Sequence, residues 1–83
     1  MQHAVDEQTI IYAVRYCLGR QSYAAGDGAN LVLDYGASLS ESARKTLARD
    51  LREHVKQDHI RLREPRDITA RWQQALEHLE RLG

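Results

Sequence analysis

The sequence predicts an all-α fold, a compact bundle of about four helices that forms a single domain over residues 1–83. Apolar side chains recur at helical spacing and do not alternate over any long stretch, as they would in strands. The chain contains one proline and five glycines, which fall between the apolar segments, where helices end and loops begin. Phenylalanine, a common strand residue, is absent.

The first predicted helix covers about residues 6–18. From residue 10 onward its side chains are apolar or aromatic except for Arg15, so we expect a central helix that is buried on more than one side. Ile10, Val14, Cys17 and Leu18 would form one of its faces, and Tyr12 and Tyr16 another. Gly19 would end the helix, because glycine adopts the left-handed conformation of many helix C-termini at no steric cost.

A short second helix is predicted over about residues 27–35, with Asp27 as its N-cap and Gly36 at its end. The third helix has the clearest signals. Ser38 and Glu41 have the spacing of a capping box, although Ser40 is an equally good N-cap. A narrow apolar face follows, consisting of Ala43, Leu47, Ala48, Leu51 and Val55.

Residues 58–66 are predicted to form an extended connection, since polar and apolar residues alternate over 59–63. One short strand is the alternative, although it would lack a partner. The fourth helix begins near Asp67, its predicted N-cap. Its apolar seam consists of Ile68, Trp72, Ala75, Leu76, Leu79 and Leu82. Two chains could share this seam in a homodimer; a monomer is the alternative.

Size and charge narrow the function classes. A domain of this length buries only about 60–65% of its unfolded surface, so a large internal pocket is not expected. We therefore predict no catalytic residues and no cofactor. The chain balances 12 Lys+Arg against 12 Asp+Glu and is 42% hydrophobic, which excludes the disordered class and a strongly basic nucleic-acid coat.

The compartment is predicted from three absences in the sequence. It contains no run of about 18 apolar residues that could span a membrane, and no basic-then-apolar start typical of a signal peptide. The single cysteine, Cys17, excludes an internal disulfide and fits a reducing cytoplasm. Within an apolar helix, this thiol is expected to be a small buried hydrophobe rather than a nucleophile.

The four histidines do not predict a metal site. His54 and His59 are five residues apart, which is not the spacing that places two imidazoles on one helix face. His3 and His78 are remote from them in sequence. We expect solvent-facing histidines and no bound metal.

A basic stripe on the third helix is the first candidate binding surface. It consists of Lys45, Arg49, Arg52 and Lys56. Residues 44–66 hold eight basic and four acidic residues, whereas residues 1–43 hold two and five. The stripe fits a solvated face with ordinary i,i+4 pairs (Glu41 with Lys45, Arg49 with Glu53), a protein contact, or a phosphate-binding surface.

A second candidate cluster lies at the end of the first helix and in the loop that follows. It consists of Arg15, Tyr16, Arg20 and Tyr23. In one interpretation, the tyrosines pack in the core and an arginine donates hydrogen bonds to the carbonyl groups at the helix end. A binding site is the other, because interfaces favour arginine and tyrosine.

Residues 11–24 read IYAVRYCLGRQSYA. This run resembles a family of small proteins, encoded by bacteriophages, prophages and other mobile elements, that read roughly Tyr-Ala-x-Arg-Tyr-x-Leu-Gly-Arg-x-Ser/Thr-Tyr-Ala. Further matches are Leu39-Ser40, Leu51-Arg52-Glu53 and Asp67…Trp72…Leu76. The chain departs from the family at Arg61-Leu62-Arg63, where the family has a less basic linker that contains glycine.

The resemblance implies a context more than an activity. Small phage proteins often bind and block a host defence complex, and anti-CRISPR proteins are the leading example. It therefore implies an inhibitor that occludes a defence effector, such as a CRISPR–Cas complex, in the cytoplasm of the host bacterial cell. The basic stripe would supply contacts, together with Arg61, Arg63, Arg66 and the Arg20–Tyr23 loop. The alternative is a small nucleic-acid-binding regulator that uses the basic stripe.

Overall fold

A computed structural model describes residues 6–19, 25–57 and 65–82. These residues form four α-helices and one 3-10 turn, and no strand occurs among them. The helices are α1 (Glu7–Leu18), α2 (Ala25–Tyr35), α3 (Glu41–Lys56) and α4 (Arg66–Leu82), with the turn at Gly36–Ser38 between α2 and α3. The predicted all-α bundle of about four helices is confirmed.

Several predictions concern residues outside the described ranges. Arg20, Tyr23, Arg61 and Arg63 are among them, as is the predicted connection as far as residue 64. Its last residue, Arg66, already belongs to α4.

The four helices form a ring of neighbours. α1 packs beside α2 and α3, and α4 packs beside the same two helices, so α1 and α4 lie at opposite corners. All four helices contribute to one buried apolar cluster, which includes Val14 from α1, Val32 from α2, Leu51 from α3 and Trp72 from α4. Each helix therefore covers part of the core and leaves an outward face.

α1 has one buried face rather than several. Ile10, Ile11 and Val14 are buried, whereas the side chains of Tyr12 and Tyr16 are 76% and 57% exposed. The prediction of a helix buried on more than one side is wrong. The reason is that α1 has its main contacts with two helices only, so no element that the structure describes covers its other side.

The ends of α1 and α2 differ from the predictions in detail. Gly19 follows α1 with φ −78° and donates from its N–H to the carbonyl of Tyr16, so the helix ends without a left-handed residue. α2 begins at Ala25, two residues earlier than predicted. Asp27 therefore lies in the first turn of α2 instead of capping it, where its carboxylate still interacts favourably with the helix dipole.

The start of α3 is held by side chains from two helices. Ser40 is the N-cap, and its hydroxyl accepts a hydrogen bond from the N–H of Ala43. The carboxylate of Glu7, from the first turn of α1, accepts the N–H of Ser40. Of the two predicted caps, Ser40 is therefore the one used, while Ser38 ends the 3-10 turn.

The seam of α4 is buried within the chain. The five seam residues from Ile68 to Leu79 are buried, and the sixth, Leu82, is half-buried. The prediction that two chains share this seam is therefore wrong, because α2 and α3 already cover it. Asp67 is not the N-cap: the carbonyl of Pro65 accepts the N–H groups of Ile68 and Thr69, both at 3.0 Å.

Three helices approach one another closely at Gly28. A Cβ atom at this position would lie 2.5 Å from the Cβ of Cys17 in α1 and 2.7 Å from Cη2 of Trp72 in α4. Trp72 is 0% exposed. The absence of a side chain at Gly28 therefore lets α1, α2 and the indole ring meet.

None of the helices in the described part of the chain is both long and apolar enough to cross a membrane.

Replacing Gly28 with alanine tests this close contact. Helix propensity alone favours Gly28→Ala by about 1 kcal/mol, whereas inserting a methyl group into a filled contact costs roughly 1–3 kcal/mol. We expect the steric cost to exceed the gain, so that urea denaturation shows a net loss of stability. The control is Gly19→Ala, whose Cβ would lie 3.5 Å from the Tyr16 carbonyl oxygen and which should change stability by less than about 0.5 kcal/mol. A more stable Gly28→Ala protein would contradict the packing described here.

Candidate interaction surface

The basic stripe lies on the outward face of α3. Lys45, Arg49, Arg52 and Lys56 are all exposed, while the opposite face of the helix enters the core. α3 is a good platform for such a surface, because it has 16 residues and is packed against both α1 and α4. The stripe is therefore a rigid row of side chains on an ordered helix.

Two of the four cations already have carboxylate partners. Lys45 Nζ lies 3.1 Å from Glu41 Oε1 within α3, as predicted from the spacing. Arg52 Nη2 lies 3.2 Å from Glu80 Oε2 of α4. The second pair connects two helices, and the sequence pattern did not predict it.

The other two cations, Arg49 and Lys56, form no ion pair with any residue that the structure describes. The predicted pair between Arg49 and Glu53 is accordingly not formed. The order of the two residues explains this. In a helix, an i,i+4 pair is less favourable when the basic residue comes before the acidic one. Arg49 and Lys56 are thus available to a partner.

An open groove runs beside the first half of the stripe. Its volume is about 740 Å³, and it is lined by Ser40, Glu41, Ser42, Lys45, Thr46 and Arg49. Hydroxyl groups, two cations and one carboxylate therefore face the same space. This lining can exchange hydrogen bonds with a polar protein surface. It has no apolar interior of the kind that encloses a small molecule.

Arg15 connects α1 to the edge of α3. Its Nε atom lies 2.8 Å from Asp50 Oδ2. A shallow cavity of about 440 Å³ lies beside this pair and also reaches Glu53 and His54. Arg15 thus serves as a link between helices, a role that the sequence did not predict.

His54 is buried, contrary to the prediction that the histidines face solvent. Its side chain is 5% exposed, and its ring packs against Trp72 with 5.7 Å between ring centroids and 59° between planes. His54 lies on the core face because residues three and seven positions before it, Leu51 and Leu47, also face inward. No group of three or more metal-ligating side chains is found in the residues that the structure covers.

A second exposed surface is the tyrosine face of α1, formed by Tyr12 and Tyr16. Sequence reasoning named Tyr16 in a candidate binding cluster but missed Tyr12, because a helix that is almost wholly apolar or aromatic was expected to be buried on more than one side. The length of the chain could have indicated that one side of this helix stays exposed, since so small a domain cannot cover every side of a helix.

Lys45 changes the acidity of Glu41, and this effect can be measured. Its hydrogen bond and its charge lower the pKa of the Glu41 carboxyl below the usual value. The stabilisation from this pair is present above the unfolded-state pKa and is lost as the pH falls through the lower folded-state pKa.

We expect Lys45→Gln to raise the pKa of Glu41 towards its ordinary value in an NMR titration of the side-chain carboxyl. Lys56→Gln, which removes the same charge about four turns from Glu41, should leave the pKa unchanged. An unaltered Glu41 titration in Lys45→Gln would show that the ion pair does not form in solution.

Comparisons with known proteins add no constraint on this surface. No family model matches the chain, and no match was found among curated proteins or solved structures. The resemblance of residues 11–24 to phage proteins remains a prediction from the sequence.

Proposed function

We propose that this protein is a phage-type interaction protein that binds a bacterial defence complex, such as a CRISPR–Cas effector, and inhibits it by steric occlusion. The proposal includes that the protein is not an enzyme. It acts through the outward face of α3, with Arg49 and Lys56 as the principal contacts. Arg66, which is exposed at the start of α4, is a further candidate contact.

The observation that carries the proposal is the mixed charge of the α3 surface. Lys45 and Arg52 are held by Glu41 and Glu80, while Arg49 and Lys56 have no carboxylate partner among the described residues. Charges of both signs on a well-packed helix suit a protein surface with a complementary pattern. Such complementarity gives specificity and rapid association.

The same observation disfavours a phosphate backbone as the partner. Binding to DNA or RNA depends on several unpaired cations, each of which displaces a counterion. Within the basic stripe, the two cations without a carboxylate partner among the described residues are seven positions apart on α3, roughly 10 Å along its axis. Carboxylates that would repel phosphate lie close to the stripe, with Glu41 in the groove itself.

The size of the surface is sufficient for the proposed role. Occlusion requires a stable complex but no cavity, and a standard interface takes about 800 Å² from each partner. The whole chain has an accessible surface of 5556 Å², so such an interface would cover the outward face of α3 and its surroundings. An arginine near the centre of an interface is frequently a residue whose loss weakens binding strongly.

The test is inhibition of purified CRISPR–Cas effector complexes that cleave a matched DNA. We expect the wild-type protein to bind one of them and to block DNA binding or cleavage. Arg49→Glu should raise the half-inhibitory concentration at least about tenfold, which corresponds to about 1.4 kcal/mol.

Arg71→Glu is the matched control. Arg71 is exposed on α4 and lies nine positions before Glu80, half a turn away around the helix from the side that faces α3. It should inhibit like the wild type, and its circular dichroism should match that of Arg49→Glu. Equal inhibition by all three proteins would remove the basic stripe from the contact, and failure to bind any effector would contradict the proposed target.

Nucleic acid is the competing outcome, and it has its own signature. A nucleic-acid-binding regulator would shift DNA or RNA probes at about 50 mM salt, with affinity falling by roughly one log unit per log unit of salt for each phosphate contacted. Arg49→Glu would weaken that shift too. A steep salt dependence without effector binding would therefore replace the proposed function with the regulator.

A further inference from the structure

The tyrosine face of α1 is a surface that the proposed function does not use. Among the described residues, Tyr12 and Tyr16 are the large hydrophobic side chains that remain exposed, at 76% and 57%. They are one helical turn apart on the same side of α1. Exposed aromatic residues on an ordered helix are characteristic of protein contacts.

The polar residues around the tyrosines show a charge gradient along α1. The helix begins with two acidic residues, Asp6 and Glu7. The Asp6 carboxylate is exposed and accepts the N–H of Gln8 as the helix cap. Arg15 lies near the other end of the helix, with its side chain half exposed. The helix dipole has its positive end at Asp6 and its negative end near Arg15.

We propose that the tyrosine face binds a second copy of this chain, so that two α1 helices pack antiparallel about a twofold axis near Tyr12. In an isologous dimer the same patch meets itself, so the patch must be self-complementary. Antiparallel packing meets this condition, because the acidic start of one helix then faces the basic end of the other. Parallel packing would place the two arginines side by side.

The register follows from the spacing of the side chains. With Tyr12 at the axis, the two Tyr12 rings contact each other, and Tyr16 covers the first turn of the opposing helix. Arg15 then lies opposite Thr9, about one turn from Asp6 of the partner subunit. Among the described contacts, Arg15 bonds Asp50 through Nε, which leaves its two terminal nitrogen atoms available for a second carboxylate.

The available area is consistent with a modest dimer. A tenth of the 5556 Å² surface, the share that an interface takes from a small protein, gives roughly 1,100 Å² over two copies. This just exceeds the roughly 1,000 Å² expected of a specific contact. The dimer would also supply buried area to a domain whose own core is small. The buried seam of α4 offers no comparable surface, so α1 replaces it as the element for self-association.

Sedimentation velocity over roughly 10–500 μM, a range set around a dissociation constant of roughly 70 μM, tests the proposal without any effector. We expect the wild-type protein to approach twice its 9.5 kDa chain mass at the upper concentrations. Tyr12→Glu places two carboxylates at the axis and should sediment as a monomer with unchanged circular dichroism. Gln74→Glu adds the same charge at an exposed position of α4 and should dimerise like the wild type.

Asp6→Ser examines the charge pairing separately. Serine preserves the helix cap but removes the carboxylate, so the dissociation constant should rise about threefold to tenfold, as for a modest ion pair. A wild-type monomer throughout the range, or a Tyr12→Glu protein that still dimerises, would overturn the proposal. A monomer that needs Tyr12 to bind an effector would assign this face to a different partner. That result would contradict self-association while leaving the proposed function standing.

Discussion

The contact between Gly28 and Trp72 is the constraint on which the rest of the structure depends. The indole ring is fully buried and reaches α2 at Gly28, while it packs against His54 of α3 on another side. Cys17 of α1 approaches the same glycine. One glycine and one tryptophan therefore determine how closely all four helices approach one another.

This arrangement determines which surfaces face outward. Because α1 and α4 occupy opposite corners of the ring, α3 has neighbours on both sides and turns its basic stripe to solvent. Ion pairs connect α3 to both of its neighbours. Arg15 of α1 pairs with Asp50 of α3, and Arg52 of α3 pairs with Glu80 of α4. These pairs are partly exposed, so each contributes modest stability. Within the basic stripe, the pairs of Lys45 and Arg52 leave Arg49 and Lys56 as the cations without a carboxylate partner among the described residues.

Local patterns predicted the helices well, because helix formation depends mainly on spacing and capping within the segment. The third helix, with its serine cap and regular apolar face, lies where the sequence placed it. Features that depend on other helices were not predictable in the same way. The choice of Ser40 over Ser38 involves the carboxylate of Glu7 from α1. The lack of room for a side chain at Gly28 could not be predicted either, because it depends on Trp72, which is remote in sequence.

The candidate surfaces show the same division. The exposure of the basic stripe follows from the periodicity of α3, but the division of its cations into paired and available ones depends on Glu80, which is remote in sequence. For α1, the periodicity did not predict which face is buried, since almost every position is apolar or aromatic. His54 was a different case, because its spacing from Leu47 and Leu51 already indicated the core. Assigning it to solvent gave too much weight to residue type and too little to position.

In the proposed complex and the proposed dimer, the charge pattern of α3 and the tyrosine face of α1 would place the recognition chemistry on the outside of the molecule. An arginine beside carboxylates discriminates between partners by the positions of charges, and like charges that meet in a wrong complex are penalised. Exposed tyrosines contribute contact area with few rotatable bonds to immobilise. A small helical domain can carry both kinds of surface, since neither requires a cavity. Two outward faces on different helices also allow one to bind a second copy while the other remains free for a target.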